Sequence, residues 1–184
     1  LDLWGALKSE EDVMEAQVPT VTICADGSYF LGDEAEYGEH REIVIYWPNG
    51  DKKFVGVLRD GQPVKGRWYF KNRDNYVGEW KDGQFHGEGT YIFCAGRRYD
   101  GGWKRGVYHG RGRLTHVGRL VYEGDFQDGT YHGEGRMRCD DGRTYVGEFR
   151  NGLAHGEGTL FAEDGGVDDS GRWVYGALVK SFYA

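Results

Sequence analysis

The sequence predicts an all-β protein made of stacked β-hairpins, and three observations carry that prediction. Tyr76, Tyr99, Tyr122 and Tyr145 stand 23 residues apart each time, and a fixed period of this size marks a repeat architecture. Each tyrosine opens the same string: Tyr-x-Gly-x-Trp/Phe, two residues, Gly, two residues, His-Gly-x-Gly. The composition matches the string, with 32 Gly set against 13 Tyr, 9 Phe and 6 Trp.

Within the copy YVGEWKDGQFHGEGTYIF, the alternation Tyr76, Gly78, Trp80 puts three residues on one face of a strand, because strand side chains have period two. Lys81-Asp82-Gly83-Gln84 is a turn in which Gly83 supplies positive φ. A second strand is expected from about His86 to Phe93, with Gly87, Gly89, Tyr91 and Phe93 on a common face. Cys94-Ala95-Gly96 then turns the chain into the next copy. Glycine weakens a strand interior, but an inward glycine also leaves a gap that an aromatic ring from an adjoining strand can cover. A lone hairpin is marginal, so the copies must bury a continuous aromatic stripe against one another.

Degraded copies flank the clear ones. Residues 54–75 keep an aromatic, Gly56, Gly61 and Gly66 but carry Pro63-Val64-Lys65 where His would stand. Residues 30–53 keep Phe30 and Gly32 and end in an Asn-Gly turn. DSGRWVYGALV at 169–179 preserves Gly171, Trp173 and Gly176. The expected organisation is an acidic N-terminal segment over 1–29, two degenerate repeats over 30–75, four clear repeats over 76–168, and a partial capping repeat over 169–184. The first segment reads as helical, with Ser9 as its cap and acids in the first turn, ended by Pro19. Leu3, Trp4, Leu7 and Val13 suit either a helix closing the first repeat or an anchor for a partner.

The motif YxGxW-xx-G-xx-HGxG, of which YVGEWKDGQFHGEG is the best copy, resembles the MORN repeat (membrane occupation and recognition nexus). The resemblance covers roughly residues 30–179. It implies an elongated, single-layer antiparallel β meander. It also implies a role as an organiser in cytoskeletal, ciliary or membrane-contact assemblies, or as the accessory module of a larger enzyme, since similar repeats are attached to lipid kinases and a lysine methyltransferase.

The net charge of −7 is uneven. Residues 1–53 hold four Lys and Arg against twelve Asp and Glu, and the remainder nineteen against eighteen, a balance that disfavours nucleic-acid binding. No apolar run approaches the ~18 residues of a transmembrane helix. Cys24, Cys94 and Cys139 show no CxxC pairing and read as free thiols of a reducing, intracellular compartment, cytoplasmic or cytoskeletal. The chain opens on Leu1 rather than Met, which leaves an upstream targeting segment open.

Little in the repeats looks catalytic. His86, His109, His132 and His155 recur at the repeat period, but equivalent residues two strands apart lie roughly 9–10 Å from each other, too far to share a zinc ion. Glu79, Glu88, Glu134, Glu148 and Glu157 invite a paired-carboxylate reading, yet no copy is differentiated as an active site would be. The Gly-x-Gly pairs precede no helix and lack a P-loop lysine. No cofactor or metal is expected. The distinctive copy is basic: Arg97, Arg98, Lys104, Arg105, Arg111, Arg113 and Arg119 face only Asp100 between Arg97 and Arg119. These residues suit either a solvated basic patch balanced by acids elsewhere in the fold or the docking of an anionic partner, an acidic protein surface, a phospholipid headgroup or the acidic N-terminal segment itself. Trp4, Trp68, Trp103 and Trp173 are candidate aromatic anchors if the stack leaves them exposed. The function expected is a non-catalytic scaffold that docks other proteins along its β surface, with peripheral membrane binding as the alternative.

Overall fold

A computed structural model describes residues 21–31 and 42–182. The expected N-terminal helix and Trp4 lie outside them. The described residues form one antiparallel sheet of fifteen strands in strict sequence order. The strands are β1 (Val21–Ile23), β2 (Tyr29–Leu31), β3 (Glu42–Tyr46), β4 (Lys52–Arg59) and β5 (Gln62–Tyr69), followed by β6 (Asn75–Lys81), β7 (Gln84–Ile92), β8 (Arg97–Lys104), β9 (Val107–His116) and β10 (Arg119–Gln127). The remainder are β11 (Thr130–Arg138), β12 (Thr144–Arg150), β13 (Leu153–Phe161), β14 (Val167–Val174) and β15 (Ala177–Ser181). Every neighbour in the sheet is a neighbour in sequence, so the fold is an open meander.

Two turn types alternate along its two edges. At one edge, Asp82-Gly83 and its counterparts Arg105-Gly106, Asp128-Gly129 and Asn151-Gly152 have positive φ at both positions, the two-residue hairpin turn that suits strand twist. These tips also join the copies. The Gly106 amide donates to the Phe85 carbonyl at 3.0 Å, Gly129 to Tyr108 at 3.0 Å, and Gly152 to Tyr131 at 2.9 Å. At the other edge the loops are mostly one residue longer, as in Phe93–Arg97 and Cys139–Arg143.

Register places eleven glycines in one unbroken row across β4–β14: Gly56, Gly66, Gly78, Gly89, Gly101, Gly112, Gly124, Gly135, Gly147, Gly158 and Gly171, each directly opposite the next. On the face above this row, here the front, lie Tyr76, Tyr99, Tyr122 and Tyr145, all essentially without exposure. Each ring covers the glycine two residues on and the glycine paired with it. A Cβ at Gly135 would meet Cε2 and Cζ of Tyr122 at 2.6 Å, and one at Gly89 the same atoms of Tyr76 at 2.6 Å. The covering ring therefore comes from the tyrosine's own strand and reaches across to the adjoining one. Each hydroxyl donates to the carbonyl three residues on: Tyr76 to Glu79, Tyr99 to Gly102 and Tyr122 to Asp125 at 2.8 Å, and Tyr145 to Glu148 at 3.2 Å.

The core is a file of interlocking rings. Tyr76 stacks on Phe85 (4.0 Å), Tyr99 on Tyr108 (3.8 Å) and Tyr122 on Tyr131 (4.0 Å). Each tyrosine also meets edge-on the aromatic of the next unit: Tyr76 with Trp103 (5.4 Å), Tyr99 with Phe126 (5.1 Å), Tyr122 with Phe149 (5.0 Å) and Tyr145 with Trp173 (5.2 Å). Burying each ring is worth roughly 1.5–3 kcal/mol, and each ring pair about 0.5–1.5 kcal/mol more. The stacked pairs lie within one hairpin but every edge-on pair joins a hairpin to the next, so a hairpin taken alone has an incomplete core.

The His-Gly-x-Gly string is not a plain strand start. Gly78 pairs with Gly89 but Glu79 pairs with His86, so two extra residues bulge out of β7. The bulge recurs in β9, β11 and β13. Gly87, Gly110, Gly133 and Gly156 carry it with φ between 53° and 69°, the left-handed region that favours glycine. The alternation expected from Gly87 to Phe93 is broken there, and β7 runs from Gln84 to Ile92.

Candidate docking surface

Of the sequence-derived carboxylate candidates Glu79 and Glu148 serve the bulges, and Asp125 does the same in the third copy. In β10 the Asp125 carboxylate accepts the Glu134 amide at 3.2 Å, and in β12 the Glu148 carboxylate accepts the Glu157 amide at 3.0 Å. The Glu79 carboxylate sits over the bulge glycine Gly87 in the same way. In the second copy Gly102 takes this position, and no side chain lies over Gly110. The histidines do not converge. The His86 and His132 carbonyls accept tyrosine hydroxyls at 3.4 and 3.1 Å, while the buried Nδ1 atoms of His109 and His155 find no hydrogen-bond partner among the described residues. No group of three metal-ligating side chains occurs among those residues, and the three cysteines are free thiols.

Two tryptophan anchors are corrected by the structure. Trp103 and Trp173 are core side chains, 6% and 8% exposed, and their indole N–H groups donate to the Gly89 and Gly158 carbonyls at 3.1 and 3.0 Å. Each lies four residues after its tyrosine or at the equivalent place, where it fills the gap between successive rings. Trp68 is half-buried between Phe54 and Trp80.

The seven basic residues do not make one patch. Lys104 and Arg105 stand at the hairpin-tip edge, whereas Arg97 and Arg119 begin β8 and β10 at the opposite edge. Arg97 lies over the Phe93 ring at 5.7 Å. Arg98 is bound to Asp100 at 2.6 Å and Arg111 to Asp125 at 3.3 Å. Arg111 and Arg113 share the back face, but lateral register sets Asp100, Arg113, Glu123 and Arg136 directly opposite one another in that order. Charge alternates along this row, and opposite charges across strands compensate. The Arg98 guanidinium holds the Asp100 carboxyl below its ordinary pKa, against the effect of burial.

Two features went unread in the sequence. The first is an apolar hollow of about 280 Å³ on the front face, lined by Phe85, Tyr91, Phe93, Trp103, Val107 and Tyr108. With half-buried Phe70 and Tyr131 these rings form a row beside the tyrosine file, and no second layer of described residues covers it. Its signal lay in the aromatic two residues after the turn glycine in three copies, Phe85, Tyr108 and Tyr131. The second is a larger hollow, about 930 Å³, between the loops at Trp47–Asp51 and Phe70–Asp74. Lys53 and Lys71 place their ammonium groups over the Trp47 ring at 4.9 and 4.8 Å. Asp74 at its wall is engaged inward, accepting from the Tyr91 hydroxyl at 2.9 Å and the Cys94 amide at 2.8 Å. Burial alone would raise the Asp74 pKa, but these donors outweigh it and hold the carboxyl below its ordinary value.

Comparison with known proteins places this architecture. The MORN repeat family matches residues 76–96, 99–117, 122–142 and 145–167, each stretch beginning at one of the four buried tyrosines or its strand. Alsin of Mus musculus, of Homo sapiens and of Rattus norvegicus are each 35% identical over 63 residues, covering 31% of this chain and 4% of theirs. Among the described residues no helix is long and apolar enough to cross a membrane. From the four matched units and the tyrosine-over-glycine stack that they build, the chain is a MORN-repeat protein.

Proposed function

We propose that the protein is a non-catalytic scaffold that docks other proteins along the front of its sheet. The observation that carries this reading is the row of half-buried rings, Phe70, Phe85, Tyr91, Tyr108 and Tyr131, lying over the buried tyrosines with one side open. A sheet face rich in aromatics suits a protein partner, because aromatic anchors in shallow pockets dominate binding energy at protein interfaces. Glu79, Asp125 and Glu148 support the same reading, since their carboxylates lie at the bulges. Binding to anionic lipid through the seven basic residues has weaker support, because Arg98 and Arg111 are in ion pairs, Arg113 lies opposite Asp100 and Glu123, and the other four are spread over both edges.

The test is affinity capture of the tagged chain from its native cell, compared with a Val107→Asp variant. Val107 lines the front hollow and is 42% exposed, so a carboxylate there spoils an apolar contact without entering the core. The expected outcome is a fixed set of proteins in near-stoichiometric yield, depleted about tenfold by the substitution, as losing ~1.4 kcal/mol of affinity would do. Unchanged capture by Val107→Asp would remove the front face from the account. An enzyme among the captured proteins would make the chain that enzyme's accessory subunit.

A further inference from the structure

On the back face, where β10, β11 and β12 meet at the loop edge, Arg119, Leu120, Arg136, Arg138 and Thr144 line a hollow of about 320 Å³. Among the described residues neither Arg119 nor Arg136 forms an ion pair, and Arg138 has a single long one, 3.4 Å to Glu163. Arg119, Arg136, Arg138 and Thr144 thus line one hollow, and of the three arginines only Arg138 is held in an ion pair among the described residues. Guanidinium forks match the oxygens of a phosphate in pairs, and a phosphomonoester carries close to two negative charges near neutral pH. A single carboxylate would leave much of this charge unanswered.

The surroundings select the source of the phosphate. Glu123 is directly opposite Arg136, Asp140 and Asp141 sit in the loop joining β11 to β12, and Glu163 borders Arg138. All four are exposed. A flat anionic membrane would meet these carboxylates together with the arginines, offsetting the ~1 kcal/mol that each basic residue gains near such a surface. A peptide can place one phosphate in the hollow and basic residues on its rim. We infer that this hollow receives the phosphomonoester of a phosphorylated side chain, flanked by basic residues, in a protein partner. The inference rests on the docking reading above and adds a second contact on the opposite face.

The experiment is fluorescence anisotropy of a labelled pentapeptide with phosphoserine between two lysines, titrated with the full chain. Saturable binding is expected, absent for the unphosphorylated peptide, and weakened about tenfold by Arg136→Gln and again by Arg119→Gln, as loss of a charge-assisted hydrogen bond would do. Lys104→Gln at the far edge should leave it unchanged, and circular dichroism melts of the variants should match the parent. Equal binding of both peptides, or indifference to Arg136→Gln, overturns the site. So does co-sedimentation with phosphatidylcholine–phosphatidylserine vesicles that Arg136→Gln abolishes while the phosphopeptide fails to bind, since the ligand is then lipid. If the phosphopeptide fails while the chain still captures partners through Val107, the phosphate site falls and the docking reading stands.

Discussion

Gly135 has no side chain because the ring of Tyr122 occupies the place where a Cβ would go. That trade recurs at each buried tyrosine and was legible in the sequence, where inward glycines and abundant rings already implied it. What could not be read was which ring covers which glycine, because that depends on lateral register. The tyrosine hydroxyl adds a smaller contribution through its bond to a backbone carbonyl. Gly135→Ala should therefore destabilise the protein by about 3 kcal/mol or more through overpacking against ring and backbone, and Tyr122→Phe by only about 1 kcal/mol. Urea midpoints of the two variants check this, and the reverse order would mean that the glycine row is not tightly covered.

At the scale of elements, the hairpins and their turn glycines followed directly from the period, whereas the bulges did not. His86-Gly87-Glu88 looks like an ordinary strand start in a linear reading. Only the pairing of Gly78 with Gly89 beside that of Glu79 with His86 reveals the two extra residues. The acid three residues after the tyrosine was the available signal, since its carboxylate holds the bulge amide in two copies. Which acids balance the basic cluster was out of reach for a related reason. A strand's electrostatic neighbours lie across the sheet, and Asp125 answers Arg111 from the next strand. The burial of Trp103 and Trp173 is not legible in the sequence, which does not show that successive units nest ring against ring.

For the whole molecule, the file of buried tyrosines predicts a pH response. Burial raises the pKa of Tyr76, Tyr99, Tyr122 and Tyr145, the last to about 12 from an ordinary value near 10. Each hydroxyl is held neutral in the fold, so its contribution is complete below about pH 10 and is lost as pH rises through the raised values. Stability measured by urea titration should stay level through neutral pH and fall steeply above pH 10. A level profile to pH 12 would mean that these hydroxyls ionise as freely in the fold as in the unfolded chain.

The claim that the front face is the working surface is tested most directly by hydroxyl-radical footprinting of the chain alone and in its captured complex. Oxidation reports on side chains, so it separates the two faces of a single-layered sheet where backbone probes cannot. The account predicts that Phe85, Tyr91, Phe93 and Tyr108 lose reactivity in the complex. Unchanged reactivity of these rings, with protection confined to back-face side chains such as Val146, would contradict it.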